Sequence, residues 1–83
     1  MRVELSQKAY KYLLRLDSET RERLKKALIK LSLEPPQGDI LSLSGKDGYR
    51  LRVGKYRALF DIVDNNIMVY EIDVRGQIYK KGR

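Results

Sequence analysis

The chain has 83 residues and a formal net charge of +7, from 18 Lys and Arg against 11 Asp and Glu, and it contains no Cys, His or Trp. A chain of this length buries only about 60% of its unfolded surface, so a single domain over residues 1–83 with one shared core is expected. Without Cys or His, disulfide frameworks, thiolate nucleophiles, Cys/His zinc sites and His-based catalytic triads are excluded, and neither a metal nor a cofactor is expected.

No apolar run nears the roughly 20 residues of a bilayer span, and Met1-Arg2-Val3-Glu4 is unlike a signal peptide. A cytoplasmic, basic domain with no membrane attachment and an anionic partner is therefore the expectation.

Taken in order, residues 2–5 alternate and reach Ser6, a good N-cap, which reads as a short strand feeding a helix. Ala9, Tyr10, Leu13, Leu14 and Leu16 follow helical spacing, with Lys8, Lys11 and Arg15 opposite, so a first helix is predicted over residues 6–16. Asp17-Ser18 supplies a break and a second N-cap, and Glu19 and Glu22 complement the helix dipole in the first turn. Leu24, Ala27, Leu28 and Leu31 extend a second amphipathic helix of about four turns, which Pro35-Pro36 terminates. The two form an αα-hairpin whose Leu stripes are core.

The remainder reads as β-structure. Residues 37–39 are loop, 40–43 a short apolar link, and 44–48 a Gly-bearing basic loop. Tyr49–Val53 alternates into the two-residue turn Gly54-Lys55, followed by Tyr56–Val63, a turn at Asp64-Asn65-Asn66, and a strand over residues 67–74. Gly76 breaks that strand. Ala58, Phe60 and Ile62 lie on one face, Leu59 and Val63 on the other, which predicts central strands with helices over one face and a shallow concave surface on the other. The fold class expected is α+β: an N-terminal edge strand and a helical hairpin packed on a small antiparallel sheet, a three-stranded meander.

The charge excess is local. Lys46, Arg50, Arg52, Lys55 and Arg57 stand against Asp47 alone in residues 44–60, and Arg75, Lys80, Lys81 and Arg83 are unopposed in residues 74–83. Between them, residues 61–73 carry only Asp61, Asp64, Glu71 and Asp73. One reading is a solvated, solubilising surface; the other is a phosphate-binding patch made where the two basic segments meet. Arg50 and Arg52 are two apart, so on a strand they share a face, and the tight turn brings Arg57 near Arg52. No sequence-local carboxylate neutralises them, so their convergence points to an anionic ligand, unless Asp61, Asp64 or Glu71 pairs with them from neighbouring strands. Tyr79 offers a ring for stacking on a base, or packs at the C-terminus.

Residues 43–61, Leu-Ser-Gly-Lys-Asp-Gly-Tyr-Arg-Leu-Arg-Val-Gly-Lys-Tyr-Arg-Ala-Leu-Phe-Asp, resemble the RelE family of bacterial and archaeal toxins, and Arg75-Gly76-Gln77-Ile78-Tyr79 resembles its terminal Arg-x-x-x-Tyr element. The leading strand, the helical hairpin and the Pro-bounded second helix fit the same layout, a RelE-like microbial ribonuclease fold. The resemblance implies a toxin of a type II toxin–antitoxin system, a ribosome-dependent endoribonuclease that cuts mRNA in the A site by attack of a ribose 2′-OH on the adjacent phosphate. It implies as partners the ribosome, mRNA and a cognate antitoxin held in a hetero-oligomeric complex.

By the same resemblance, Arg50, Arg52, Arg57, Arg75 and Tyr79 form the catalytic set: Arg57 stabilises the phosphorane, Arg75 serves the leaving group and Tyr79 orients the nucleotide. Lys46, Lys55, Lys80, Lys81 and Arg83 are the expected RNA-binding residues. Arg50 and Arg52 occupy positions where the best-known members carry lysine. Arg stays protonated, so Arg50 is a poor general base; either it acts only electrostatically, or Lys46 or a ribosomal group takes the proton, or cleavage is weak. Two other readings share the resemblance: a ParE-like inhibitor of DNA gyrase, and a module that binds RNA or antitoxin without cleaving.

Overall fold

In the computed structural model, which describes residues 1–43, 45 and 47–74, the chain runs β1 (Val3–Leu5), α1 (Gln7–Leu14), α2 (Ser18–Lys30), β2 (Asp39–Ser42), β3 (Tyr49–Val53), β4 (Tyr56–Val63) and β5 (Asn66–Val74). Both helix starts use the caps foreseen. The Ser6 Oγ accepts from the Ala9 N–H at 3.0 Å, and the Asp17 carboxylate accepts from the Thr20 N–H at 3.0 Å and its hydroxyl at 2.7 Å. Those hydrogen bonds hold the exposed Asp17 carboxyl below its ordinary value. The first helix stops at Leu14, two residues earlier than expected. Arg21 reaches back from α2 and donates to the carbonyls of Leu14 at 3.3 Å and Leu16 at 2.8 Å, which satisfies the helix end and makes the hairpin tight.

The sheet has five strands in the order β1-β5-β4-β3-β2. Its last four strands are antiparallel neighbours in a meander, one strand more than the sequence reading allowed. The extra strand is β2, read above as an apolar link. Asp39-Ile40-Leu41-Ser42 does not alternate, and only the ladder to β3, from Asp39↔Arg52 to Ser42↔Tyr49, makes it a strand. At the other edge β1 pairs parallel with β5 through Val3↔Ile67 and Leu5↔Val69, so the sheet is mixed. Nothing in a strand's own pattern reveals its neighbour.

Both helices pack on one face. Ala9, Leu13, Leu24, Leu28 and Leu31 meet Leu51, Tyr56, Ala58, Phe60, Ile67, Val69 and Ile72 in a single core, as the Leu stripes implied. Tyr49 stacks on Phe60 with ring centroids 5.4 Å apart. The β3–β4 turn is the two-residue Gly54-Lys55, with Gly54 at φ +59°. The β4–β5 turn uses Asp64 at φ +52° and Asn65 at φ +64°, residue types that tolerate the left-handed region. Val63 and Asn66 close that second turn as register partners.

One irregularity positions the site. Leu59 faces Glu71 while Phe60 faces Val69, so Tyr70 is an extra residue and β5 carries a β-bulge. Ile67 and Val69 point to the helices on odd positions; beyond the bulge Ile72 does so on an even one. The bulge therefore delivers Glu71 and Asp73 to the face away from the helices.

Candidate functional site

That opposite face carries the arginines. Side chains alternate across a strand, so with Leu51, Tyr56 and Ala58 in the core, Arg50, Arg52 and Arg57 project the other way. Arg52 and Arg57 are register partners, as expected from the tight turn. Extending that register gives one row across four strands: Asp39 on β2, Arg52 on β3, Arg57 on β4 and Asp73 on β5. The next row is Leu41, Arg50, Leu59 and Glu71.

The row corrects the expectation that these guanidinium groups lack carboxylate partners. Arg52 grips Asp39 with both prongs, Nε to Oδ2 at 3.0 Å and Nη2 to Oδ1 at 3.3 Å. Arg57 donates from Nε to Asp73 Oδ1 at 3.3 Å. Neither partner is Asp61, Asp64 or Glu71. Both lie 13 or more residues away, one on the strand read as a link and the other beyond the bulge, so sequence distance concealed them.

The two pairs differ in kind. Arg52 and Asp39 have side chains 37% and 51% exposed, a surface pair worth about 0–1 kcal/mol. Arg57 and Asp73 are 13% and 16% exposed, so both have given up most of their water. Burial pushes the Asp73 carboxyl above its ordinary value; the hydrogen bond and charge of Arg57 oppose this, and the charge of Glu71 adds to it. Desolvation and Glu71 together thus outweigh what Arg57 returns. Among the described residues, Asp73 Oδ2 is buried with no hydrogen-bond partner, and so is the Nε of Arg50. Each orphan costs about 1–3 kcal/mol, and two guanidinium groups facing each other across adjacent strands repel. Such costs concentrate where a ligand offsets them.

Among the other expected residues, Lys55 sits in the β3–β4 turn with its Nζ 5.6 Å from the Tyr56 ring centroid, outside the row. Lys46, Arg75, Tyr79, Lys80, Lys81 and Arg83 lie outside the described residues. Sequence reasoning missed Asp39, Glu71 and Asp73 as site residues. The parity break between Val69 and Ile72 was the one signal for Asp73. Among the described residues, no three His, Cys, Asp or Glu side chains gather into a metal-holding group, and no helix is long and apolar enough to cross a membrane.

Comparison with known proteins bears on the family and the fold. The family described as ParE toxin of type II toxin-antitoxin system, parDE, matches residues 3–79. The mRNA interferase toxin RelE of Escherichia coli strain K12 is 31% identical over 86 residues, which span 95% of this chain and 90% of that protein. The archaeal RelE–RelB complex from Pyrococcus horikoshii OT3 is 27% identical, with a TM-score of 0.77 over 92% of this chain and 96% of that one. The intact E. coli RelBE toxin–antitoxin complex is 25% identical, with a TM-score of 0.72 over 88% and 94%. The chain therefore belongs to the RelE/ParE superfamily of type II toxin–antitoxin toxins.

Proposed function

We propose that this toxin is a ribosome-dependent mRNA endoribonuclease that cuts translated mRNA in the A site and arrests translation. The observation that carries this reading is the convergence of Arg50, Arg52 and Arg57 on the face opposite the helices, with the Nε of Arg50 buried and without a partner among the described residues. That surface suits an extended polyanion, and a relative named an mRNA interferase is 31% identical. In the reaction a ribose 2′-OH attacks the adjacent phosphate, giving a 2′,3′-cyclic phosphate and a 5′-OH. Negative charge gathers on the phosphorane oxygens. The guanidinium of Arg57 has its Nη groups left to hold them, while Arg50 and Arg52 add fixed positive charge. Arg75 is assigned to the leaving oxygen and Tyr79 to stacking on the nucleotide, with Lys46, Lys55, Lys80, Lys81 and Arg83 along the RNA backbone.

A cognate antitoxin is the proposed partner, in a hetero-oligomeric complex. RelE forms such a complex with RelB in P. horikoshii and E. coli. An acidic segment suits the basic face of this chain.

The family description names ParE, and this favours a second reading in which the same fold inhibits DNA gyrase. One experiment separates them: induce the protein, map mRNA 5′ ends, and score gyrase-dependent DNA breaks. Cuts within translated codons support the nuclease, and they should vanish in Arg57→Ala with the folded protein still present. DNA breaks without mRNA cuts refute the nuclease, as does equal growth arrest by wild type and Arg57→Ala. Absence of both leaves a binding module and also refutes it.

A further inference from the structure

The arginine row explains how charge on a phosphorane is stabilised, but not what removes the hydrogen from the attacking hydroxyl. Arginine does not deprotonate at neutral pH, and the chain has no His or Cys. Burial pushes the Tyr12 and Tyr70 phenols above their ordinary value, so neither supplies a phenolate. Within the row the carboxylates are the acceptors left; Lys46, named above as another candidate, lies outside the described residues. Asp39 has both oxygens committed to Arg52. Asp73 has Oδ1 engaged by a single 3.3 Å contact to Arg57, while its Oδ2 is buried and, among the described residues, has no hydrogen-bond partner.

Resting on the nuclease reading above, we propose that Asp73 is the general base of this site, accepting the hydrogen of the ribose 2′-OH. Position supports it. Arg57 holds the carboxylate with Nε while its Nη groups are left for the phosphate, so one guanidinium places base and phosphorus side by side. The 2′-oxygen of the attacking ribose lies next to that phosphorus. The bulge of β5 then has a purpose, because a regular strand would turn Asp73 toward the core.

Basicity supports it too. Burial raises the proton affinity of the Asp73 carboxylate against the hydrogen bond and charge of Arg57, and Glu71 on the same strand raises it further. The charged and titratable groups around it are Arg57 on β4, Glu71 on β5 and, from α1, Tyr12, whose phenol senses the Asp73 charge. Lys8 of α1 stands 3.6 Å from Glu71 and moderates its repulsion.

The step balances without a further reagent than water. The ribose O–H bond breaks as its oxygen bonds phosphorus, and the hydrogen moves to Asp73. The bond from phosphorus to the 5′-oxygen then breaks. That oxygen takes a proton from water, and the hydroxide so formed recovers the proton from Asp73.

The test compares wild type, Asp73→Asn, Asp73→Glu and Arg57→Ala on ribosomes programmed with a defined mRNA, from pH 5 to 8. Asp73→Asn keeps an oxygen acceptor for Arg57, so positioning survives and only the base is lost. Its single-turnover cleavage rate should fall by about 100-fold or more. Binding of an uncleavable mRNA carrying 2′-deoxyribose at the attack position should be unchanged or tighter. The wild-type rate should rise with pH on an acidic limb that Asp73→Asn lacks, and Asp73→Glu should regain part of the rate with that limb displaced. If Arg57→Ala abolishes cleavage while Asp73→Asn cleaves like wild type with the same pH profile, the assignment is wrong and the nuclease reading stands. If wild type itself leaves the mRNA intact, the nuclease reading fails and takes this assignment with it.

Discussion

Removing Arg57 should destabilise this protein more than removing its partner, and the asymmetry should depend on pH. Arg57→Met strands Asp73 as a side chain 16% exposed, with one oxygen already lacking a partner. Breaking a fully buried pair from one side costs about 3–5 kcal/mol; the residual exposure here brings the expectation to about 2–3 kcal/mol at pH 7. For a domain of this size, that lowers Tm by about 8–24 °C.

Asp73→Asn should cost far less, because it removes a group whose burial and repulsion by Glu71 together outweigh its pairing. The pH sign follows from the raised pKa of Asp73. Between the ordinary value of 3.8 and the raised folded value, the native state binds more protons than the unfolded state, so stability falls as pH rises through that window. The penalty is complete above the folded value and absent below 3.8. Without Arg57, the folded value rises further, so the defect of Arg57→Met should shrink as pH drops toward 4. Urea denaturation of wild type, both single variants and the double variant at pH 7 and pH 4.5 measures this directly. The double variant should resemble Asp73→Asn. Additive single effects at both pH values would refute the coupling and with it the account of the row.

Two further predictions concern the scaffold and the outer pair. Gly48 sits at φ +113°, where an added Cβ would lie 2.7 Å from Asp61 Oδ1 and 3.3 Å from the Phe60 carbonyl oxygen, so Gly48→Ala should cost about 1–3 kcal/mol, read as a lowered denaturation midpoint. Asp39→Ala releases Arg52 from an exposed pair; stability should change by less than about 1 kcal/mol, while RNA binding tightens and its dependence on salt steepens.

Much of the fold was legible because its signals are local. The helix caps at Ser6 and Asp17, the Leu spacing and the Gly54-Lys55 turn each act within a few residues, and each appears in the structure. Arg50, Arg52 and Arg57 were legible as a cluster for the same reason, since strand alternation and one tight turn place all three. The string around them also carried the resemblance to RelE, which the comparisons support.

What the sequence alone determined, then, was a small basic α+β chain rich in arginine at one turn, unable to use His or Cys. The tertiary structure decided which charges those arginines meet. Asp39, read as loop, joins the row because it and the apolar link after it become an edge strand once β3 offers them a ladder, and Asp73 joins because one extra residue in β5 reverses the parity of everything after it. Strand pairing and bulges are settled by hydrogen bonds between segments far apart in the chain, and no short pattern encodes them. The +7 of the composition is thus spent unevenly: at the site two guanidinium groups are paired and one buried Nε is left unanswered.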